Sequence, residues 1–452
     1  MSIETFAILF VLFTFLVLLS GIPVAFVLSS SALLFSLIGF FIGLFDYSFL
    51  LAIPNRIFGI MTNQNLLAVP LFIFMGLVLQ KTKIAEELLI AMNSLYKNTN
   101  GGFAISVVIV GSLMGASTGI VGATVVTLGL LSLPIMIKNN YPKDLACGVI
   151  CASGTLGQII PPSLVLILLA DVLSSAYQQA QLNAGIFTPE TVTISDLFAG
   201  AIIPGLLLPI IFIFYIKFLK IKNADPNPNI KKNDIKFISS FFPPILLIFI
   251  VLGSIILGVA TPSEASSLGA VGSLLIAFNK SKLSFNIIKE TSKETIKLTS
   301  MVFLILIGAT FFSLVFRGLE GEELIHSLLS HGPENKYISL LITLSIMFFL
   351  GFILDFIEII FIIIPLFGPV LFSFGFDPIW IGILIAMVLQ TSFLTPPFGF
   401  SLFYLRGVAP KEIQTMDIYK GVLPFILIQI IAIGLVFLFP EIALILPDLL
   451  AK

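Results

Sequence analysis

The chain has 452 residues, of which 58% are hydrophobic and 10% charged, with a net charge of -1 and a mean hydropathy of +1.14. Soluble globular domains carry about 25% charged residues, so this composition excludes a freely soluble protein and leaves a polytopic membrane protein. The near-neutral charge gives no sign of a nucleic-acid or strongly acidic partner. Cys147 and Cys151, four apart, make neither a disulfide framework nor a four-ligand metal site and read as small packing residues.

Long apolar segments recur from end to end, at roughly 6–19, 23–45, 66–79, 103–137, 145–173, 197–216, 237–257, 265–278, 299–316, 338–372, 379–405 and 422–446. Most approach the ~20 residues that cross a bilayer as helix. Segments 103–137 and 338–372 exceed one crossing and fall short of two, so each is expected to enter the membrane and return as a helical hairpin. The first segment lacks a basic leader and a small-residue cleavage site, and reads as a retained membrane helix over residues 1–20.

Two double prolines stand inside apolar runs: GTLGQIIPPS (154–163) in segment 145–173 and TSFLTPPFGF (391–400) in segment 379–405. Proline lacks the N–H that the helical ladder needs and its ring clashes with the preceding turn, so each span should break near its middle. Backbone groups freed in lipid must be satisfied by protein or by something bound, and paired breaks in two halves of a chain point to a transporter's binding site.

Landmarks pair at offsets of 231 to 237 residues: Gly21 with Gly258, Gly76 with Gly308, Glu86-Glu87-Leu88 with Glu322-Glu323-Leu324, Pro134 with Pro365, and Pro161-Pro162 with Pro396-Pro397. They define a first repeat over 21–175 and a second over 258–408, joined by connecting membrane helices in 176–257 and followed by a C-terminal membrane helix in 409–452. Threading the segments puts 19 of the 23 basic residues in loops 81–100, 138–144, 217–236, 279–297 and 406–420. The opposite loops, around 46–65, 174–196, 258–262, 317–337 and 373–378, carry only Arg56, Arg317 and Lys336. Basic loops face the cytoplasm, so hairpin 103–137 enters from inside and hairpin 338–372 from outside. The repeats are then inverted, an arrangement suited to alternating access. Stretches 84–97 and 284–297 are amphipathic and read as interfacial arms.

The first hairpin should turn at GASTGIVGAT (115–124), facing Gly154, Thr155, Gly157, Gln158 and Ser163; the second half sets Thr391, Ser392, Thr395 and Gly399 against a hairpin carrying Asp355 and Glu358. In the first half, carbonyls and hydroxyls without histidines or clustered carboxylates suit a hard monovalent cation such as sodium better than zinc or copper. Small residues also serve close helix packing in lipid, and each taken singly admits that role. Asp355 and Glu358, three apart on one helical face, either orient the helix by hydrogen bonds or link to ion or proton movement. Asp171 is expected to reach the outer interface, Glu264 in GVATPSEASS to cap a helix start, and Arg406 to snorkel to the cytoplasmic face. No His/Ser/Asp constellation, metal motif or soluble catalytic domain is visible, which argues against an enzyme.

Six stretches carry a family resemblance: GASTGIVGATVVTLGLLSLPIM (115–136), CASGTLGQIIPPS (151–163), LFAGAIIPGLLL (197–208), GVATPSEASSLGAV (258–271), LDFIEIIFIIIPLFGPVL (354–371) and LQTSFLTPPFGFSLFYLRGVAP (389–410). In order and spacing they resemble the large membrane subunit of tripartite ATP-independent periplasmic (TRAP) transporters, the DctM-like permeases. The tip GASTGIVGATVVT departs from the commoner FSGSSxAxxAA-like form and resembles the branch labelled mannitol/chloroaromatic type, a label that says little about substrate. The resemblance implies an all-α polytopic membrane protein with two inverted repeats, re-entrant hairpins and broken helices, working as an elevator in the bacterial inner membrane. It implies uptake of a small organic acid with sodium ions as coupling ions, no cofactor, and two separate partner chains, a small membrane subunit and a periplasmic solute-binding protein. Carried over by motif, the sodium ligands are Gly115, Ser117, Thr118, Gly154 and Thr155 in one half and Asp355, Thr391, Ser392 and Thr395 in the other, with substrate near Ser163 and Gly399. The competing expectation is a stand-alone sodium- or proton-coupled anion symporter of related fold.

Overall fold

In the computed structural model, which describes residues 2–96, 99–219, 221, 237–331 and 336–450, all regular structure among the described residues is helical. The first half runs α1 (Ile3–Leu18), α2 (Val24–Phe41), α3 (Ile53–Thr62), α4 (Ala68–Lys81), α5 (Ile84–Tyr96), α6 (Gly102–Thr118), α7 (Val121–Lys138), α8 (Lys143–Thr155) and α9 (Leu164–Asn183). A connecting helix, α10 (Ile194–Phe218), leads to α11 (Phe237–Ile256), α12 (Pro262–Asn279), α13 (Phe285–Gly318), α14 (Gly321–His331), α15 (Lys336–Leu350), α16 (Phe356–Ser373), α17 (Pro378–Leu394) and α18 (Phe400–Val408). The chain closes with α19 (Thr415–Leu438) and α20 (Glu441–Leu450). Among the described residues six helices are long and apolar enough to cross a membrane, or seven if Tyr47–Thr62 and Asn65–Lys81, bent by 53°, act as one span. Apolar side chains such as Leu16, Phe26, Phe41, Leu268 and Leu427 point outward, as they must where lipid rather than water is the solvent.

Helix starts are fixed by side chains that accept otherwise orphaned N–H groups. Capping boxes join Thr193 to Asp196 before α10, Thr261 to Glu264 before α12, and Asp355 to Glu358 before α16. Glu264 therefore caps a helix, as its sequence setting anticipates.

The two halves contact one another reciprocally. α2 packs on α13 while α12 packs on α4, and α7 packs on α18 while α16 packs on α9. In the offset given by the landmarks, each contact is the other with its partners exchanged, which is the signature of a two-fold relation. Gly21 and Gly258 both adopt positive φ, +78° and +67°, just after α1 and α11, so the repeats open on the same left-handed turn. Close approach is bought with glycine in both copies of one interface: a Cβ at Gly308 would stand 2.6 Å from the Ala25 carbonyl, and one at Gly269 would stand 2.6 Å from the Met75 sulfur.

Four expectations need correction. The stretch 284–297 is no separate arm, because α13 continues through it into the apolar segment as one helix of 34 residues, ~51 Å long. Loop 46–65 is largely helical, a 3-10 turn at Tyr47–Ala52 followed by α3, whose polar and apolar residues alternate too briefly to read as a span. Loop 317–337 contains α14, the positional counterpart of α5. The C-terminal segment is two helices, broken at Phe439-Pro440, with α20 folded back on α10. Most of the basic loop 217–236 lies outside the described residues.

Candidate functional site

α6 and α7, of 17 and 18 residues, are ~26 and ~27 Å long, and α15 and α16, of 15 and 18 residues, are ~23 and ~27 Å. α7 and α16 are among the six helices long and apolar enough to cross a membrane, whereas α6 and α15 are shorter, and each pair is joined by a short connection, residues 119–120 and 351–355. Between α6 and α7 the chain reverses at Gly119, which has φ +63° and donates its N–H to the Gly115 carbonyl at 2.8 Å. α8 ends at Thr155 and, after a 3-10 turn at Leu156–Gln158, the chain stays irregular until α9 starts beyond Ser163. α17 ends at Leu394 and α18 starts beyond Gly399. Both double prolines therefore sit in breaks, and both Pro-Pro bonds are cis.

The hairpins meet the breaks at matched points. A Cβ added to Gly115 would lie 2.6 Å from the Gly157 Cα, and one at Gly351 would lie 2.1 Å from the Ser392 hydroxyl. Gly351 follows Gly115 by 236 residues and Ser392 follows Gly157 by 235, so the two contacts are copies of one another. In each copy two helix C-termini converge, α6 with α8 and α15 with α17. The opposite ends converge as well, since a Cβ on Gly119 would stand 3.0 Å from the Leu164 nitrogen, bringing the N-termini of α7 and α9 together. Helix C-termini present unpaired carbonyls and partial negative charge; N-termini present unpaired N–H groups and partial positive charge.

Hydroxyls around these ends donate back to their own helices: Thr155 to the Ala152 carbonyl (2.9 Å), Thr391 to Met387 (2.8 Å), Ser392 to Leu389 (2.7 Å) and Thr395 to Thr391 (2.7 Å). With the proton committed, each oxygen keeps lone pairs for a cation. Ser163 instead bridges the first break, donating to the Gln158 carbonyl at 2.7 Å, and Ser401 bridges the second, donating to Phe393 at 2.7 Å. Gly154 packs against Val125 of the hairpin and Gly399 against the Phe393 carbonyl. Ser117 is not brought to the break. Its hydroxyl donates to Met114, and it faces Leu79, Ile84 and Pro244 on the other side of α6. The Thr118 side chain lies outside the described residues.

Of the acids, Asp355 accepts the Phe356 N–H at 2.7 Å, and Glu358 accepts the Asp355 N–H at 3.0 Å. These are helix-orienting hydrogen bonds at the second hairpin tip. Asp171 does not simply snorkel, because it accepts from the Asn63 amide at 2.6 Å. Arg406 is tied to the Ile413 carbonyl. Cys147 and Cys151 are free, buried packing residues. Sequence reasoning missed Gly351, which lies among phenylalanines in FFLGF, and Gln390, which, like Gln158, is buried with an unpaired amide among the described residues. A buried unpaired amide costs ~1–3 kcal/mol, so the two mark places beside the breaks where further partners belong.

The family model described as "Tripartite ATP-independent periplasmic transporter, DctM component" matches residues 10–442. The chain is 30% identical to the C4-dicarboxylate TRAP transporter large permease protein DctM of Vibrio cholerae, over 95% of each chain. It is 27% identical to the protein of the same name from Pseudomonas aeruginosa, over 87% of this chain and 88% of that one. Identity to the sialic acid TRAP transporter large permease protein SiaM of Vibrio cholerae is 26%, over 96% of each. The crystal structure of the YdaH transporter of Alcanivorax borkumensis, described as having an unusual topology, superposes with a TM-score of 0.64 at 15% identity, over 87% of this chain and 89% of that one, a likeness of fold alone. With the family model matching residues 10–442 and a relative 30% identical over 95% of each chain, the chain belongs to the DctM component family, the large membrane subunits of tripartite ATP-independent periplasmic transporters.

Proposed function

We propose that the protein is the permease of a sodium-coupled importer of a small organic acid in the bacterial inner membrane, acting with a separate small membrane subunit and a periplasmic solute-binding protein. The observation that carries this is the sorting of helix ends at the two tips. Converging C-termini at Gly115/Gly157 and Gly351/Ser392 offer carbonyl oxygens to a cation, with Gly154, Thr155, Thr391, Ser392 and Thr395 supplying further oxygens and Asp355 a nearby negative charge. Ser117 and Thr118 contribute, on this reading, through the carbonyls of the last turn of α6. The N-terminal ends suit the solute's carboxylate, because Ser163 and Gly399 make no side-chain cap to α9 and α18, whose first-turn N–H groups suit an anion. The printed names of relatives, C4-dicarboxylate and sialic acid permeases, favour an organic acid.

In operation the hairpins and broken helices would move as an elevator against α2, α4, α12 and α13. Each sodium carried inward down 100 mV releases about 2.3 kcal/mol, so two ions per monoanion drive accumulation after the solute's own charge is counted. The test is uptake into proteoliposomes holding the large and small subunits, with the binding protein and the solute it retains. Uptake should follow an inward sodium gradient and vanish without the binding protein. Uptake by this chain alone would favour the stand-alone symporter, and uptake indifferent to sodium would remove the coupling.

A further inference from the structure

A cavity of about 190 Å³ opens between α3 and α13 on one side and α9 and α16 on the other. It lies on the face that the charge bias assigns to the outside. Its wall includes Phe361, six residues past Asp355 and so ~9 Å along α16 from the hairpin tip. The cavity is therefore distinct from the tips. Two of the three basic residues of that face, Arg56 and Arg317, line it.

Arg317 donates its Nε to Glu322 at 2.9 Å. Arg56 feels the like charge of Arg317 and, less strongly, the Glu322 carboxylate, yet makes no salt bridge or hydrogen bond among the described residues. A half-buried guanidinium beside a second one, with no acceptor of its own, is an incomplete anion site. Asp171 also lines the cavity, held by Asn63. Asn63 follows Arg56 by seven residues, ~10 Å of backbone along α3, and Arg56 and Asp171 form no ion pair among the described residues. Ser175, Thr310 and Ser313 fill the wall between them. The cavity is thus polarised, cationic at one end and anionic at the other.

We propose that this cavity is an outer antechamber for the solute, in which Arg56 takes one carboxylate and Asp171 accepts from hydroxyl or ammonium donors at the solute's far end, so that a second carboxylate is rejected. It rests on the import reading above and narrows the substrate class to monocarboxylic acids with donor groups. That departs from the C4-dicarboxylate relatives, since a dianion of that length would set its second carboxylate against Asp171.

The experiment is a thermal-shift titration of the purified complex of large and small subunits with glycerate (one carboxylate, two hydroxyls) and malate (two carboxylates, one hydroxyl), at matched ionic strength. Glycerate should stabilise the complex at a half-saturating concentration at least tenfold below that of malate. Arg56→Gln should raise the glycerate value tenfold or more. Asp171→Asn should lower the malate value at least fivefold, a gain that a misfolded protein would not show. Malate equal to or better than glycerate in the wild type, an unchanged preference in Asp171→Asn, or no stabilisation by either acid would overturn the proposal. Loss of sodium-driven uptake with these shifts intact would instead count against the import reading.

Discussion

One carboxylate serves two demands at Asp355. It begins α16 by accepting the Phe356 N–H, and it stands where negative charge would favour a cation beside the C-termini of α15 and α17. The two roles separate by substitution, because asparagine caps helices about as well as aspartate but carries no charge. Asp355→Asn should leave thermal stability within ~0.5 kcal/mol of wild type and raise the half-saturating sodium concentration for uptake about tenfold, equivalent to ~1.4 kcal/mol. Asp355→Ala should lose ~1 kcal/mol of stability as well. An unchanged sodium requirement in Asp355→Asn would reduce the residue to a cap.

Among the helices, the arm α5 is tied to the turn between α12 and α13 through Glu87, which pairs with Lys280 and with Lys282 at 2.6 Å. Lys81 at the end of α4 pairs with Glu294 of α13 at 2.8 Å. Partial burial alone would raise the Glu87 carboxyl, but hydrogen bonds and charge from Lys280 and Lys282 outweigh it and hold it below its usual value of 4.5. A depressed folded pKa adds stability above the unfolded pKa, and that stability is lost as pH falls through the folded value. Glu87→Gln should therefore lower stability by about 1 kcal/mol at pH 7, with the gap to wild type closing below pH 4.5 as acid titrates Glu87. A constant gap across a melting series from pH 7 downward would assign the loss to packing.

The sequence revealed elements where it punctuates them. Gly119 and the two double prolines mark hairpin tip and breaks because glycine and proline alter the backbone wherever they stand. Continuity leaves no such mark: residues 285–297 are charged and 299–316 apolar, so one helix reads as two. Gly351 was hidden because its role is a close approach to Ser392, which only the folded partner reveals. The donor set at the tips was legible as residue types, whereas the direction in which Ser117 points depends on the rotation of α6.

For the molecule as a whole, reciprocal packing of α2 on α13 with α12 on α4, and of α7 on α18 with α16 on α9, makes the two tips versions of one design facing opposite ways. On the proposed reading each tip holds its own sodium ion where helix C-termini meet, at Gly115/Gly157 and at Gly351/Ser392. A ligand that binds only the folded state stabilises it by RT ln(1 + [L]/Kd) per site, so sodium titration of thermal stability, with potassium as control, counts and locates the sites. Gly115→Ala and Gly351→Ala should each remove part of the sodium-specific stabilisation, and the double variant all of it, with melting in potassium still cooperative. Full sodium stabilisation in the double variant would contradict the account.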